Sequence, residues 1–110
     1  MIRYFKNKKR KKEEDKQTII SEIKKVHQKV QPLDPEVGKI FIKGIRNLEK
    51  GKNPEYIAYQ IERELLHVAS TRYDDTNNEY YHFPEPIEEL MEKFAEIGAY
   101  FIRIERGGMM

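Results

Sequence analysis

The imidazoles available for acid–base or metal chemistry are His27, His67 and His82, and the chain has no cysteine. They lie in separate segments, and none is accompanied by a nucleophile at a spacing that would form a catalytic pair. His27 follows Val26 at the edge of an apolar stripe and His67 lies between Leu66 and Val68, so both read as satisfied or surface imidazoles. His82, with Asp74, Asp75 and Glu79 nearby, offers oxygen and nitrogen ligands to a cation. The mid-loop glycine and alternating ligands of a calcium loop are absent, so this segment reads as a polar turn. Glu88, Glu89, Glu92 and Glu96 would suit a di-iron bundle only if ExxH pairs stood on other helices, and there are none. No HExxH, glycine-rich phosphate loop or nucleophile elbow occurs. The expectation is a protein that is not an enzyme and holds no metal or cofactor.

The residues that remain distinctive are charged and aromatic. Residues 1–16 carry eight Lys/Arg against three acids, a net of +5, while the rest of the chain sums to −3. Within residues 74–96 there are eight acids and one base, Lys93. This acidic stretch reads either as a solvated helix face with a polar loop or as a binding surface. Tyr73, Tyr80 and Tyr81 share its loop and Tyr100 lies near the end of the chain. Tyrosine is a residue type enriched in recognition surfaces, and it also commonly seals the end of a bundle. The basic cluster Lys8, Lys9, Arg10, Lys11 and Lys12 has three readings: a solubilising tail, a contact for nucleic-acid phosphates, or a contact for anionic lipid with Ile2, Tyr4 and Phe5 dipping into the interface. The apolar residues ahead of the cluster favour lipid. Nucleic acid is disfavoured because the rest of the chain is net acidic and has no helix rich in Arg, Asn and Gln to read a groove.

These groups must be positioned by helices. Ile19, Ile23, Val26 and Val30 recur at spacings of 4, 3 and 4, one stripe of a helix that Pro32 ends. Asp34, Pro35 and Glu36 form a strong start signal: a cap, a proline where no N–H is needed, and an acid at the positive helix end. Val37, Ile40, Phe41, Gly44, Ile45 and Leu48 follow as the second stripe, and Gly51 supplies a left-handed stop. Gly44, costly inside a helix, implies close approach of a neighbour. Asn53, Pro54 and Glu55 repeat the start signal, and Ile57, Ala58, Ile61, Leu65 and Val68 form a third stripe. The short connection, residues 51–53, forces an antiparallel hairpin. Tyr80, Tyr81, His82 and Phe83 have no partner strand and read as ordered loop. Glu85 is kept out of helical geometry by the proline after it, so Pro86 is the expected first residue of the last helix, with Ile87, Leu90, Met91, Phe94, Ile97 and Phe101 facing inward.

The sum is an all-α protein: an antiparallel up-down-up-down four-helix bundle of residues 17–110, with helices at about 18–31, 35–50, 54–71 and 86–103, behind a flexible, disordered basic arm of residues 1–16. One core is all that 110 residues with 38% hydrophobic content can build. No apolar run approaches the ~18 residues of a membrane span or the stretch of a signal peptide, so the protein is expected to stay in the cytoplasm.

The arrangement resembles the immunity proteins that protect bacteria from pediocin-like (class IIa) bacteriocins, the enterocin A immunity family. The likeness is carried by the helical hairpin LEKGKNPEYIAYQIERELLHVA (residues 48–69), by Ala69, Ser70 and Thr71, by Phe83 ahead of the last helix, and by IEELMEKFAEIG (residues 87–98). Residues 74–79 lengthen the connection before the last helix, and the tail after Arg103 is short; both lie near where the family is thought to set specificity. The resemblance implies a left-turning four-helix bundle that acts by stoichiometric binding. Its partner would be the mannose phosphotransferase permease with bacteriocin bound, and the C-terminal half would choose the peptide. On this reading Tyr80, Tyr81, His82, Tyr100, Arg103 and Arg106 meet the partner. Lys8, Lys9, Arg10, Lys11 and Lys12 lie near the inner membrane surface, and the protein is a monomer. The alternative is a small phage or bacterial regulator that binds nucleic acid or a protein through its basic arm.

Overall fold

The computed structural model describes the backbone of residues 2–108 and the side chains of residues 11–99. Its helices are α1 (Ile2–Lys29), α2 (Pro35–Glu49), α3 (Pro54–Thr71) and α4 (Glu85–Gly108), with no strand among the described residues. The two start signals act as their chemistry requires. The Asp34 carboxylate accepts the Glu36 N–H at 2.9 Å, and the Asn53 side-chain oxygen accepts that of Glu55 at 3.0 Å. At the end of α2, Gly51 takes φ +85°, and its N–H and that of Lys52 return to the Leu48 and Asn47 carbonyls.

The core is the set of stripes meeting on one axis. Ile19, Ile23 and Val26 of α1, Val37, Phe41 and Leu48 of α2, Ile57, Ile61 and Leu65 of α3, and Ile87, Leu90 and Phe94 of α4 are all buried. Both α1 and α3 pack against all three other helices, α3 most extensively, whereas among the described residues no Cα of α2 lies within 8 Å of one of α4. Two glycines set the spacing. A Cβ on Gly44 would lie 2.5 Å from Ile61 Cδ1, and one on Gly98 would lie 2.9 Å from Tyr59 Cα. The close approach expected at Gly44 is therefore present, and a second one, against backbone, joins α4 to α3.

The first helix is longer than the apolar stripe that marks it. Its backbone runs from Ile2 to Lys29, so residues 2–16 precede the stripe that begins at Ile19 on the same helix. Lys, Arg and Glu are good helix formers, and the segment contains neither Gly nor Pro to interrupt them. A hydrogen bond from Gln17 to Glu13 at 3.2 Å, one turn apart, adds a small local contribution. The helix ends at Lys29, ahead of Pro32, and α4 runs on to Gly108 where a stop near residue 103 was expected.

Candidate partner-binding site

The connection between α3 and α4 is an ordered structure built by its polar residues. The Asp74 carboxylate accepts the Thr76 N–H at 3.0 Å, the Asn77 N–H at 3.3 Å and the Asn77 side-chain amide at 2.7 Å. These bonds, the Asn77 amide foremost, hold the Asp74 carboxyl below the usual carboxylate range. Asp74 and Glu79 exchange backbone hydrogen bonds of 3.0 and 3.1 Å, closing the loop, while Asn78 takes the left-handed φ of 55° that asparagine tolerates. The Tyr73 hydroxyl bonds the Asn78 side chain. With the tip closed, the Tyr73 and Tyr80 rings meet at a tilt of 56°, with 5.1 Å between centroids.

The base of the loop is fixed by Arg72. Its guanidinium lies 2.6 Å from Asp34 and 3.6 Å from Glu36 at the start of α2. It also donates to the Tyr81 hydroxyl at 3.2 Å and sits 5.0 Å from the centre of that ring. Tyr81 in turn meets Phe83 edge-on at 5.0 Å, and the Phe83 N–H donates to Glu88 at 2.9 Å. Phe83 is buried, so the loop is held to the start of α2 at one end and to the core at the other.

Between this loop, α3 and α4 lies a cavity of about 550 Å³ whose lining includes Leu66, Tyr73, Tyr80, Tyr81, His82 and Met91. Its walls are mainly aromatic and aliphatic. Tyr80 is 77% exposed and Leu66 47%, so two large apolar bodies stand in water beside it. The surroundings are acidic. Glu79, Glu85, Glu89, Glu92 and Glu96 are exposed. Lys93, the one base in the stretch, is held by Glu22 of α1 at 2.8 Å.

That Glu22 carboxylate is a clamp between α1 and α4. Burial alone would raise its pKa, but hydrogen bonds from Lys93 and Lys25 outweigh burial and lower it. Glu62, one turn before Leu66 on α3, is the opposite case, since burial raises its carboxyl above the usual range.

Three of the sequence-derived candidates, Tyr80, Tyr81 and His82, thus line one cavity, with Tyr81 also serving the packing of the loop. The side chains of Tyr100, Arg103 and Arg106, and of Lys8, Lys9 and Arg10, lie outside the described residues. Lys11 and Lys12 are exposed on α1, with Lys11 Nζ 4.0 Å from Glu55. His27 stands at the surface with its ring 6.0 Å from that of Phe41, and His67 is exposed. No group of three metal-ligating side chains occurs among the described residues. Sequence reasoning missed Arg72 and Leu66. The doublet Leu65–Leu66 was the available signal, because one helical stripe can bury only one of two adjacent leucines.

A second hollow, of about 650 Å³ between α2 and α3, has the Lys43–Glu64 bond of 2.6 Å and the Arg63 guanidinium, 5.8 Å from the Tyr59 ring, in its wall. The aromatic cavity is the one that gathers Tyr80, Tyr81 and His82. No protein-family model matches the chain, and no curated protein or solved structure matches it either.

Proposed function

We propose that this protein is a bacteriocin immunity protein of the pediocin-like, enterocin A kind, which protects its cell by stoichiometric binding in the cytoplasm and not by catalysis. The observation that carries the reading is the exposed aromatic cavity of Tyr80, Tyr81 and His82, beside Leu66 and Met91, on an acidic side of a helical bundle. A mainly apolar hollow with a few polar groups and protruding tyrosine and leucine side chains is the kind of surface that supplies binding anchors. Scattered histidines without a nucleophile partner support a binding role over a chemical one.

In this reading the partner is the mannose phosphotransferase permease with bacteriocin bound to it. The loop and α4 form the recognition surface, extended by Tyr100, Arg103 and Arg106, and the basic cluster Lys8, Lys9, Arg10, Lys11 and Lys12 lies close to the inner face of the membrane. No helix among the described residues is long and apolar enough to cross a membrane. The test is expression in a sensitive strain challenged with a panel of pediocin-like peptides. Rescue against at least one peptide is expected; growth inhibition by every member, with the protein present and folded, overturns the reading.

A further inference from the structure

The side of the molecule away from the acidic helix has a charge pattern of its own. Lys39, Lys43, Arg46 and Lys50 recur along α2 at spacings of 4, 3 and 4, and with Ile42 and Asn47 they line a shallow hollow of about 490 Å³. No acid is among those six residues. Lys43 is engaged with Glu64, whereas Lys39, Arg46 and Lys50 have no carboxylate at ion-pair distance among the described residues. In the middle of the cations sits Ile42, half exposed. Among the described residues no Cα of α2 lies within 8 Å of one of α4, so this cationic face and the acidic α4 are carried by helices that are not neighbours.

We propose that the α2 face docks on the surface of an anionic lipid bilayer. Each cation near such a surface adds favourable attraction to acidic headgroups, and lysine and arginine stems can lie along the interface with their charges among phosphates. Ile42 decides between the anionic partners. An apolar side chain ringed by cations gains by entering the headgroup boundary, which is how amphipathic helices bind at interfaces. Against a nucleic-acid backbone the same side chain would face phosphates, and Asn47 alone would be left to meet base edges. Docking here would leave the aromatic cavity and the acidic face of α4 turned toward other partners. The proposal stands apart from the immunity reading, and it places a membrane contact on a folded helix face separate from residues 8–12.

The test is co-sedimentation of the full chain with mixed phosphatidylserine and phosphatidylcholine vesicles, against vesicles of phosphatidylcholine alone. The triple variant K39Q/R46Q/K50Q spares the paired Lys43 and should lower partitioning onto the anionic vesicles by at least about tenfold, from three lost attractions. I42S should weaken it a further few-fold when combined, and both variants should melt as the parent does. Neutralising Lys8, Lys9, Arg10, Lys11 and Lys12 together should leave binding that still responds to K39Q/R46Q/K50Q. The proposal is overturned if the triple variant binds as the parent does, if the parent ignores the anionic lipid, or if I42S has no effect while K39Q/R46Q/K50Q abolishes a shift of duplex DNA.

Discussion

The guanidinium of Arg72, the residue that caps α3, lies 2.6 Å from the carboxylate of Asp34, the residue that caps α2. One carboxylate thus satisfies a free amide at the start of one helix and a cation at the end of the next, and through Arg72 it reaches the ring of Tyr81 in the candidate site. Asn53 provides an internal comparison, because it caps α3 in the same geometry and is engaged in no ion pair. N53A should cost about 1 kcal/mol, as for a lost cap. D34A should cost more than N53A, and D34N, which keeps a capping oxygen, should cost less than D34A. Denaturant midpoints of the three variants check the order; equal costs for D34A and N53A would remove the Arg72 pair from the account.

Acid should weaken the fold through identifiable carboxylates. Asp34 is held low chiefly by the hydrogen bond from Arg72, and Glu22 is held low by Lys93 and Lys25 against the effect of its own burial. A carboxyl whose native pKa is depressed adds stability that is complete above the ordinary carboxylate range and drains away as pH falls below roughly 4 through the native value. Stability measured by denaturant should therefore fall across that window, less steeply in D34N and E22Q than in the parent.

Glu62 has the reverse sign. Burial raises its pKa, so its ionised form costs stability at neutral pH and its protonated form does not. E62Q should raise the melting temperature at neutral pH, with the gain vanishing below the carboxylate range. A gain of the same size at every pH would point to a cause other than ionisation.

The two tight glycines should respond differently to alanine. At Gly98 the added methyl meets the Tyr59 backbone, at 2.9 Å from Cα and 3.1 Å from N, and α4 cannot accommodate it without moving off α3. At Gly44 the nearest atom is the Cδ1 tip of Ile61, which can rotate, and alanine gains about 1 kcal/mol in helix propensity over glycine. G98A should destabilise by roughly 1–3 kcal/mol, as overpacking does, whereas G44A should stay within about 1 kcal/mol of the parent.

How much of this was legible in the chain depends on the range over which each signal acts. Asp34–Pro35 and Asn53–Pro54 are local chemistry, and α2 and α3 begin at the residues those pairs mark. The apolar stripes were likewise readable, since a period of 3–4 residues reports one buried face. Residues 2–16 carry no apolar period, so sequence spacing could not say where α1 begins, although their residue types favour helix. The site was half legible. Tyr80, Tyr81 and His82 are neighbours in the chain, but Leu66 and Met91 meet them only after α3 and α4 pack, and Arg72 shows its role only once Asp34 is across from it. Glu22 and Lys93, 71 positions apart, could not have been paired from sequence spacing.

The central claim is that the aromatic cavity binds the partner that immunity requires, and Tyr80 tests it most directly. Its side chain is 77% exposed, so Y80A should change stability by no more than about 0.5 kcal/mol. The decisive measurement is growth of a sensitive strain that expresses the parent or Y80A at equal levels, under a bacteriocin against which the parent protects. Protection by the parent and its loss in Y80A, with the variant folded and equally abundant, is the expected result. Full protection by Y80A, and by Y80A combined with L66A, would contradict the assignment of this cavity as the binding site.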